Sequence, residues 1–260
     1  MRRVLRLLRV GVALATGALA ASAPARAQVN TERMRTTLDT TGVMAQLDAG
    51  LAYATGNTNF LLASIGGRAD LVTGRFEAFV VGKTSLSQAD GVVYVNQSFV
   101  HARVTEELGG PFAAEAFAQA EQNAQRLLQE RYLAGAGLRL SLLDTGDARL
   151  AAGATPMAEF ERLSAETGEP AALRMRLSHY LALRLQLTPQ TAVSTIVYAQ
   201  PALAGWDDLR VLGDFALDVE LVRGVVFRTA ANLRYDSQPP AGIATTDFEI
   251  RNGLVLALSR

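Results

Sequence analysis

The chain has two histidines, His101 and His179, so any general-base or nucleophile chemistry of the serine type must be built around one of them. Ser178 adjoins His179, and Asn96 and Ser98 precede His101. In an extended backbone successive side chains alternate between faces, so the spacings Ser178 to His179 and Ser98 to His101 place hydroxyl and imidazole on opposite sides. A hydrolase is therefore the disfavoured reading and no catalytic residue is expected; His179, between Leu177 and Leu181 on an apolar row, reads as an interfacial residue.

The carboxyl groups make a second candidate. Glu115, Gln119 and Glu121 share one face of a run with Phe117, a row that could bind a cation. It could equally meet Arg139, Arg174, Arg176, Arg184, Arg228 or Arg234, and this reading is adopted because buried charges require compensation. The sequence holds no metal-ligand spacing, nucleotide loop or triad motif, so neither metal nor cofactor is expected. Cysteine is absent, which excludes disulfides, thiolate ligands and a cysteine-borne lipid anchor.

These side chains must be positioned by something, and the period of the chain shows by what. Met1 to Ala27 reads as a secretory signal: Arg2, Arg3, Arg6 and Arg9 precede an apolar run from Val10 to Ala21, and Ala25-Arg26-Ala27 supplies a small-x-small cleavage site. The apolar run is shorter than the roughly 20 residues a membrane helix needs. Basic and acidic residues number 25 each. Cleavage after Ala27 removes five of the arginines, Arg26 among them, and leaves an acidic mature chain. Such a chain has no electrostatic case for nucleic acid as a partner. Residues 28–44 read as a polar lead-in.

From residue 45 to 260 the chain punctuates itself at near-even intervals, with a period of two between breaks. About twelve strands are expected, as in an even-stranded barrel. The clearest puts Leu173, Met175, Leu177, His179, Leu181, Leu183, Leu185 and Leu187 on one face against Arg174, Arg176, Ser178, Tyr180, Arg184 and Gln186. At 3.6 residues per turn these leucines and arginines would scatter around a helix, so only a strand segregates them. Later strands carry Asp214, Asp218 and Glu220, then Arg228, Arg234 and Asp236, then Glu249 and Arg251 on their polar rows.

Two architectures alternate in this way: a soluble barrel or sandwich, and a membrane barrel with its apolar row outside. Three features favour the second. The polar rows carry both signs of charge, as a lumen would. Gly and Ala are frequent on both faces, as in Ala134 to Gly137, where a soluble core would want bulkier filling. Connections alternate between short turns (Thr73-Gly74, Leu108 to Pro111, Asp144 to Asp147, Thr188 to Gln190, Arg223-Gly224) and longer ones (Gln88 to Gly91, Gln122 to Gln129, Ser164 to Pro170, Ala204 to Asp208, Ser237 to Thr246), with Asn57 to Asn59 a short exception. Tyr53, Tyr132, Tyr198, Trp206 and Tyr235 fall near strand ends and suit interfacial girdles. The chain ends Leu256-Ala257-Leu258-Ser259-Arg260, without the terminal aromatic residue common in such barrels.

The run Leu233-Arg234-Tyr235-Asp236-Ser237-Gln238-Pro239-Pro240, the terminal strand from Thr246 to Leu258, Gly56-Asn57-Thr58 and Ala134 to Leu138 together resemble the family of salt-induced outer-membrane proteins. The likeness runs from about Gln46 to Leu258, and its specific part is the Tyr-Asp-Ser-Gln-Pro-Pro run. That family has no assigned activity. The resemblance implies a bacterial outer-membrane barrel and transfers no catalytic residue.

The expectation is thus an all-β, closed antiparallel up-and-down transmembrane barrel in the outer membrane of a Gram-negative cell, structural or envelope-stress related. Its lumen is lined by Arg174, Arg176, Arg184, Asp214, Asp218, Glu220, Arg228, Arg234, Asp236, Glu249 and Arg251. Its partners are outer-membrane lipid and, during insertion, the barrel-assembly machinery. A narrow pore for small solutes or ions is the alternative, and a barrel-wall hydrolase the second alternative.

Overall fold

The computed structural model describes residues 41–256. The expected signal peptide, most of the lead-in and the last four residues lie outside this range. Among the described residues twelve strands follow one another in a single antiparallel sheet whose spatial order is the order of the chain. They are β1 (Gly42–Ala54), β2 (Phe60–Thr73), β3 (Phe76–Ala89), β4 (Val92–Gly109), β5 (Phe112–Asn123), β6 (Leu128–Asp144), β7 (Ala148–Leu163), β8 (Ala172–Thr188), β9 (Thr191–Ala202), β10 (Gly205–Val222), β11 (Val225–Asp236) and β12 (Thr246–Leu256). The first strand takes in Gly42 to Met44, which the sequence reading assigned to the lead-in, because these residues pair with Asp70 to Val72 of β2.

The sheet rolls up. Arg210 at the start of β10 hydrogen-bonds Glu159 of β7, and Tyr180 of β8 hydrogen-bonds Glu115 of β5, so side chains meet across strands that are not neighbours. Strand pairing fixes which residues share the enclosed side: Arg103, Glu115, Arg139, Tyr180, Asp214 and Arg234 lie on it, each on a different strand. The other side is apolar and outward. On β8, Leu173 is 72% exposed while Arg176 is 0% exposed, which puts the leucine row outside and the arginine row within. Among the described residues β1 and β12 form the two ends of the sheet, and most of β1 is exposed on both faces.

One end of the rolled sheet carries only tight connections, residues 74–75, 110–111, 145–147, 189–190 and 223–224. The other end, the loop end, carries residues 55–59, 124–127, 164–171 and 237–245, together with two tight turns at 90–91 and 203–204. Those two correct the expectation of longer connections at Gln88 to Gly91 and Ala204 to Asp208. Asp90 and Gly91 both have positive φ (47° and 81°), the conformation of a two-residue hairpin turn for which Asp-Gly is suited. The strands therefore run up to the turn. At the second site β10 starts at Gly205 and absorbs the extra residues in a bulge between Gly205 and Leu209.

Candidate functional site

The enclosed face is densest toward the loop end, where alternation on β7 aims Glu159 and Glu161 inward and on β8 aims Arg174 and Arg176 at them. Arg176 is the most buried large side chain. Its Nε donates to Glu159 (3.3 Å), its Nη2 to both carboxylate oxygens of Asp208 (2.8 and 2.9 Å), and its Nη1 to the carbonyls of Gln200 and Asp208 (both 3.1 Å). Arg210 reaches Glu159 (2.6 Å), Glu161 (3.1 Å) and Asp236 (2.9 Å). Arg131 pairs with Glu161 and, at 3.6 Å, with Glu121, which also takes Arg126 at 3.1 Å. Arg174 joins from the rim through Glu161 (3.6 Å) and Asp208 (3.7 Å). One connected net thus spans β5 to β11. Charged groups removed from water are tolerated only with such multiple, oriented partners, because their desolvation is otherwise uncompensated. Arg126 lies in the connection between β5 and β6; burial holds its pKa below the ordinary guanidinium value, and Glu121 opposes that shift.

Deeper in, the filling becomes aromatic. His101 stacks on Phe117 (5.6 Å between centroids), Phe79 (5.8 Å) and Phe99 (6.3 Å), with Nδ1 3.2 Å from Oε1 of Gln119. Tyr180 and Tyr198 lie 5.4 Å apart, and Tyr180 donates to Glu115 (2.7 Å), which Arg103 and Arg139 flank at 3.7 and 3.9 Å. Glycine makes room for this: a Cβ on Gly153 would overlap the Tyr180 ring, and one on Gly137 would overlap the carbonyl oxygen of Ala154. Gly153 is small because Tyr180 crosses it, Gly135 because Met157, Thr155 and Phe117 press on it, and Gly137 because the β7 backbone does. Two interior cavities among these side chains measure about 20 Å³ and about 30 Å³.

The charged residues expected on the polar rows lie as follows. Arg174, Arg176 and Asp236 belong to the net. Asp214 is buried below it. Asp218 pairs with Arg228 at 2.5 Å and Glu249 with Arg251 at 2.6 Å, as half-exposed neighbours outside the net. Glu220 accepts the Gly224 N–H within a tight turn (3.1 Å), and Arg184 is exposed. Arg234 is buried in the wall of the smaller cavity. Of the arginines expected to meet the Glu115 to Glu121 row, Arg139 does so; Arg103, Arg126 and Arg131 take the places given to the others.

Sequence reasoning missed Arg126, Arg131, Asp208 and Arg210, and passed over Glu159 and Glu161 although their alternation with Phe160 was a usable signal. Tyr198 is a correction: it is 7% exposed and interior, not part of a girdle. Tyr53, Tyr132, Trp206 and Tyr235 are exposed. Ser178 is buried inside while His179 is on the outward row, and Ser98 is exposed while His101 is buried, so neither serine meets the histidine near it in sequence. No group of three or more histidines and carboxylates suited to a metal occurs among the described residues. What the arrangement can do is hold charge in fixed positions.

An up-and-down antiparallel sheet rolled around a charged and aromatic filling, apolar outside, defines a protein of the barrel-wall class. The chain belongs to the family described as "Protein of unknown function, DUF481", whose model matches residues 47–258. No curated protein matches it. Among solved structures, a NanC porin in a rhombohedral crystal form has a similar fold, with a TM-score of 0.50 and 10% identity over 82% of this chain and 100% of that one.

Proposed function

We propose that the protein is an exported outer-membrane β-barrel with a filled interior, structural or envelope-stress related in role. The observation that carries this reading is the ion net of Arg131, Glu159, Glu161, Arg176 and Arg210, which bridges the enclosed space beside small cavities of about 20 and 30 Å³. The outward row supports the membrane setting. Large apolar side chains such as Leu47, Leu138, Leu173, Leu181 and Leu254 are half or more exposed, far more contiguous apolar surface than a soluble monomer carries. Exposed Tyr53, Tyr94, Trp206 and Phe248 stand near the loop-end termini of their strands, as an interfacial belt would.

In hydrocarbon an unpaired strand edge leaves its N–H and C=O groups unsatisfied at a cost of several kcal/mol each, so β1 and β12 pair to close the wall. The chain has no cysteine, so cysteines introduced along outward positions of β1 and β12 report that pairing by crosslinking. Absence of a crosslink at every register would count against closure.

Planar-bilayer recording of the purified, heat-modifiable protein tests the filled interior: silence is expected, and a steady open conductance would replace this reading. The likeness to a porin favours the second reading, a narrow pore for small solutes or ions, in which the same net is the constriction. No catalytic role is assigned. Mass spectrometry of the outer-membrane fraction tests export, with Gln28 expected at the mature N-terminus; transcript levels after a salt upshift test the stress role.

A further inference from the structure

At the loop end two charged residues carry buried polar atoms without a hydrogen-bond partner: Glu121, through an Oε2 that lies 3.6 Å from Arg131, and Arg234. Arg234 lies on the enclosed face of β11 and is 8% exposed, yet its Nε and Nη1 have no hydrogen-bond partner in the protein. Its buried companions there are all served: Arg126 by Glu121, Arg131 by Glu121 and Glu161, Arg176 by Glu159 and Asp208, and Arg210 by Glu159, Glu161 and Asp236. Asp236, two positions along the strand, is engaged by Arg210 and by the Gln238 N–H (3.0 Å). Asp247 faces Arg234 across β12 in the strand register but closes no ion pair with it.

Arg234 lines the cavity of about 20 Å³ together with three arginines, Arg126, Arg131 and Arg210, and three carboxylates, Glu161, Asp236 and Asp247. Pro239, Pro240 and Ile243 of the β11–β12 connection line its loop-end side. Proline has no N–H and isoleucine no polar side-chain atom, so of the cover only Thr245, with its hydroxyl, brings a polar side chain to the cavity. The connection is tied down by the polar residues before the prolines: Leu209 N–H donates to Ser237 Oγ (2.8 Å), Ser237 Oγ to the Asp207 carbonyl (2.7 Å), and Gln238 Nε2 to Asp207 (3.3 Å). The Asp-Ser-Gln-Pro-Pro run thus builds a fixed roof over a guanidinium that feels the charges of Glu121 and Asp247 but whose Nε and Nη1 no protein acceptor meets.

We propose that this cavity binds a small monovalent anion of halide size, with Arg234 as its principal ligand. A buried guanidinium with unsatisfied N–H groups carries a desolvation penalty that hydrogen bonds have not offset, and an anion supplies the acceptor that Glu161 and Asp236, already engaged, do not. Size sets the class. A cavity of this volume takes about one water-sized group, whereas a carboxylate or phosphate would need Pro239 or Ile243 displaced. The site does not depend on whether the barrel conducts.

Wild-type crystals grown in sodium bromide give the direct test: an anomalous peak beside Arg234 Nε and Nη1 is expected, and its absence at saturating bromide overturns the site. In detergent, the wild-type heat-modifiability midpoint should be higher in chloride than in gluconate at equal ionic strength, since an anion bound only to the folded state stabilises it by mass action. R234M should lose that difference; a difference kept in a folded R234M would also overturn the proposal. Should R234M fail to fold, the bromide measurement on the wild type decides alone. A conductance result bears only on the filled interior, so the two readings fail separately.

Discussion

Two kinds of arginine–carboxylate pair line the same face of the sheet. Around Glu161 and Glu159 the pairs with adjacent strands, Arg131 opposite Glu161 and Arg176 of β8 with Glu159 of β7, are tied together by Arg210 from β10, three strands along, and the side chains of Arg176 and Glu159 are 0% and 2% exposed. Along β10 to β12 the partners are direct neighbours: Asp218 opposite Arg228 in the strand register, Glu249 two residues from Arg251. The first pair here has side chains 30% and 42% exposed. Residue types and distances are alike; what differs is water. A pair that bridges the interior has lost its solvent and cannot be broken singly without stranding a charge, whereas a half-wet neighbour pair trades one set of polar contacts for another. Location within the roll decides which arginines hold the structure together.

The largest break in this contrast is Arg176→Met. It takes one partner from Glu159, leaving Arg210, the closer partner from Asp208, leaving Arg174, and the donor from two carbonyls at once. A loss of about 3–5 kcal/mol is expected, the usual effect of removing one member of a buried pair, read as a lower urea midpoint for unfolding from lipid vesicles. A change below about 1 kcal/mol, the range of exposed pairs, would mean that the net is solvated and that the interior is not filled.

The sequence showed which side of the wall each charge takes but not how deep it lies. A period of two is a local property, so the alternation in Leu173 to Leu187 separates leucines from arginines wherever the strand ends up. The partnership of Arg210 with Glu159 depends on how sharply β7 to β10 curl, which no local pattern encodes. Arg210 was lost for a second reason: apolar alternation begins at Val211, while pairing with Gln200 and Asp236 carries β10 past it to Gly205. Strand ends rich in charge read as loops. The glycines of β6 were visible as small residues, but their reason, Met157 and Phe117 pressing on Gly135 and the β7 backbone on Gly137, lies on other strands.

Leu181→Arg sharpens the same contrast from the other side of β8. Leu181 is outward, half exposed and near the middle of the strand, so an arginine there meets acyl chains instead of carboxylates. The expected loss is about 2–4 kcal/mol, the depth-dependent effect of a cation on a barrel's lipid face. A neutral result in vesicles would show that this row faces water. Gly137→Ala follows: its Cβ would overlap the Ala154 carbonyl oxygen and Thr155, so β6 and β7 must shift, at about 1–3 kcal/mol for an overpacked site.

The smallest effect belongs to the neighbour pair itself. Arg228→Ala should cost about 0.2–1 kcal/mol, the range of exposed ion pairs, and the difference from wild type should shrink as salt is raised, because a half-exposed pair lies within reach of screening ions. Arg176→Met should show little such dependence, since no counter-ion replaces a bidentate contact in a dry site. Measuring both variants across a salt series compares the slopes directly. Equal slopes would mean that the interior net and the half-exposed pairs feel the same solvent, and the distinction between them would disappear.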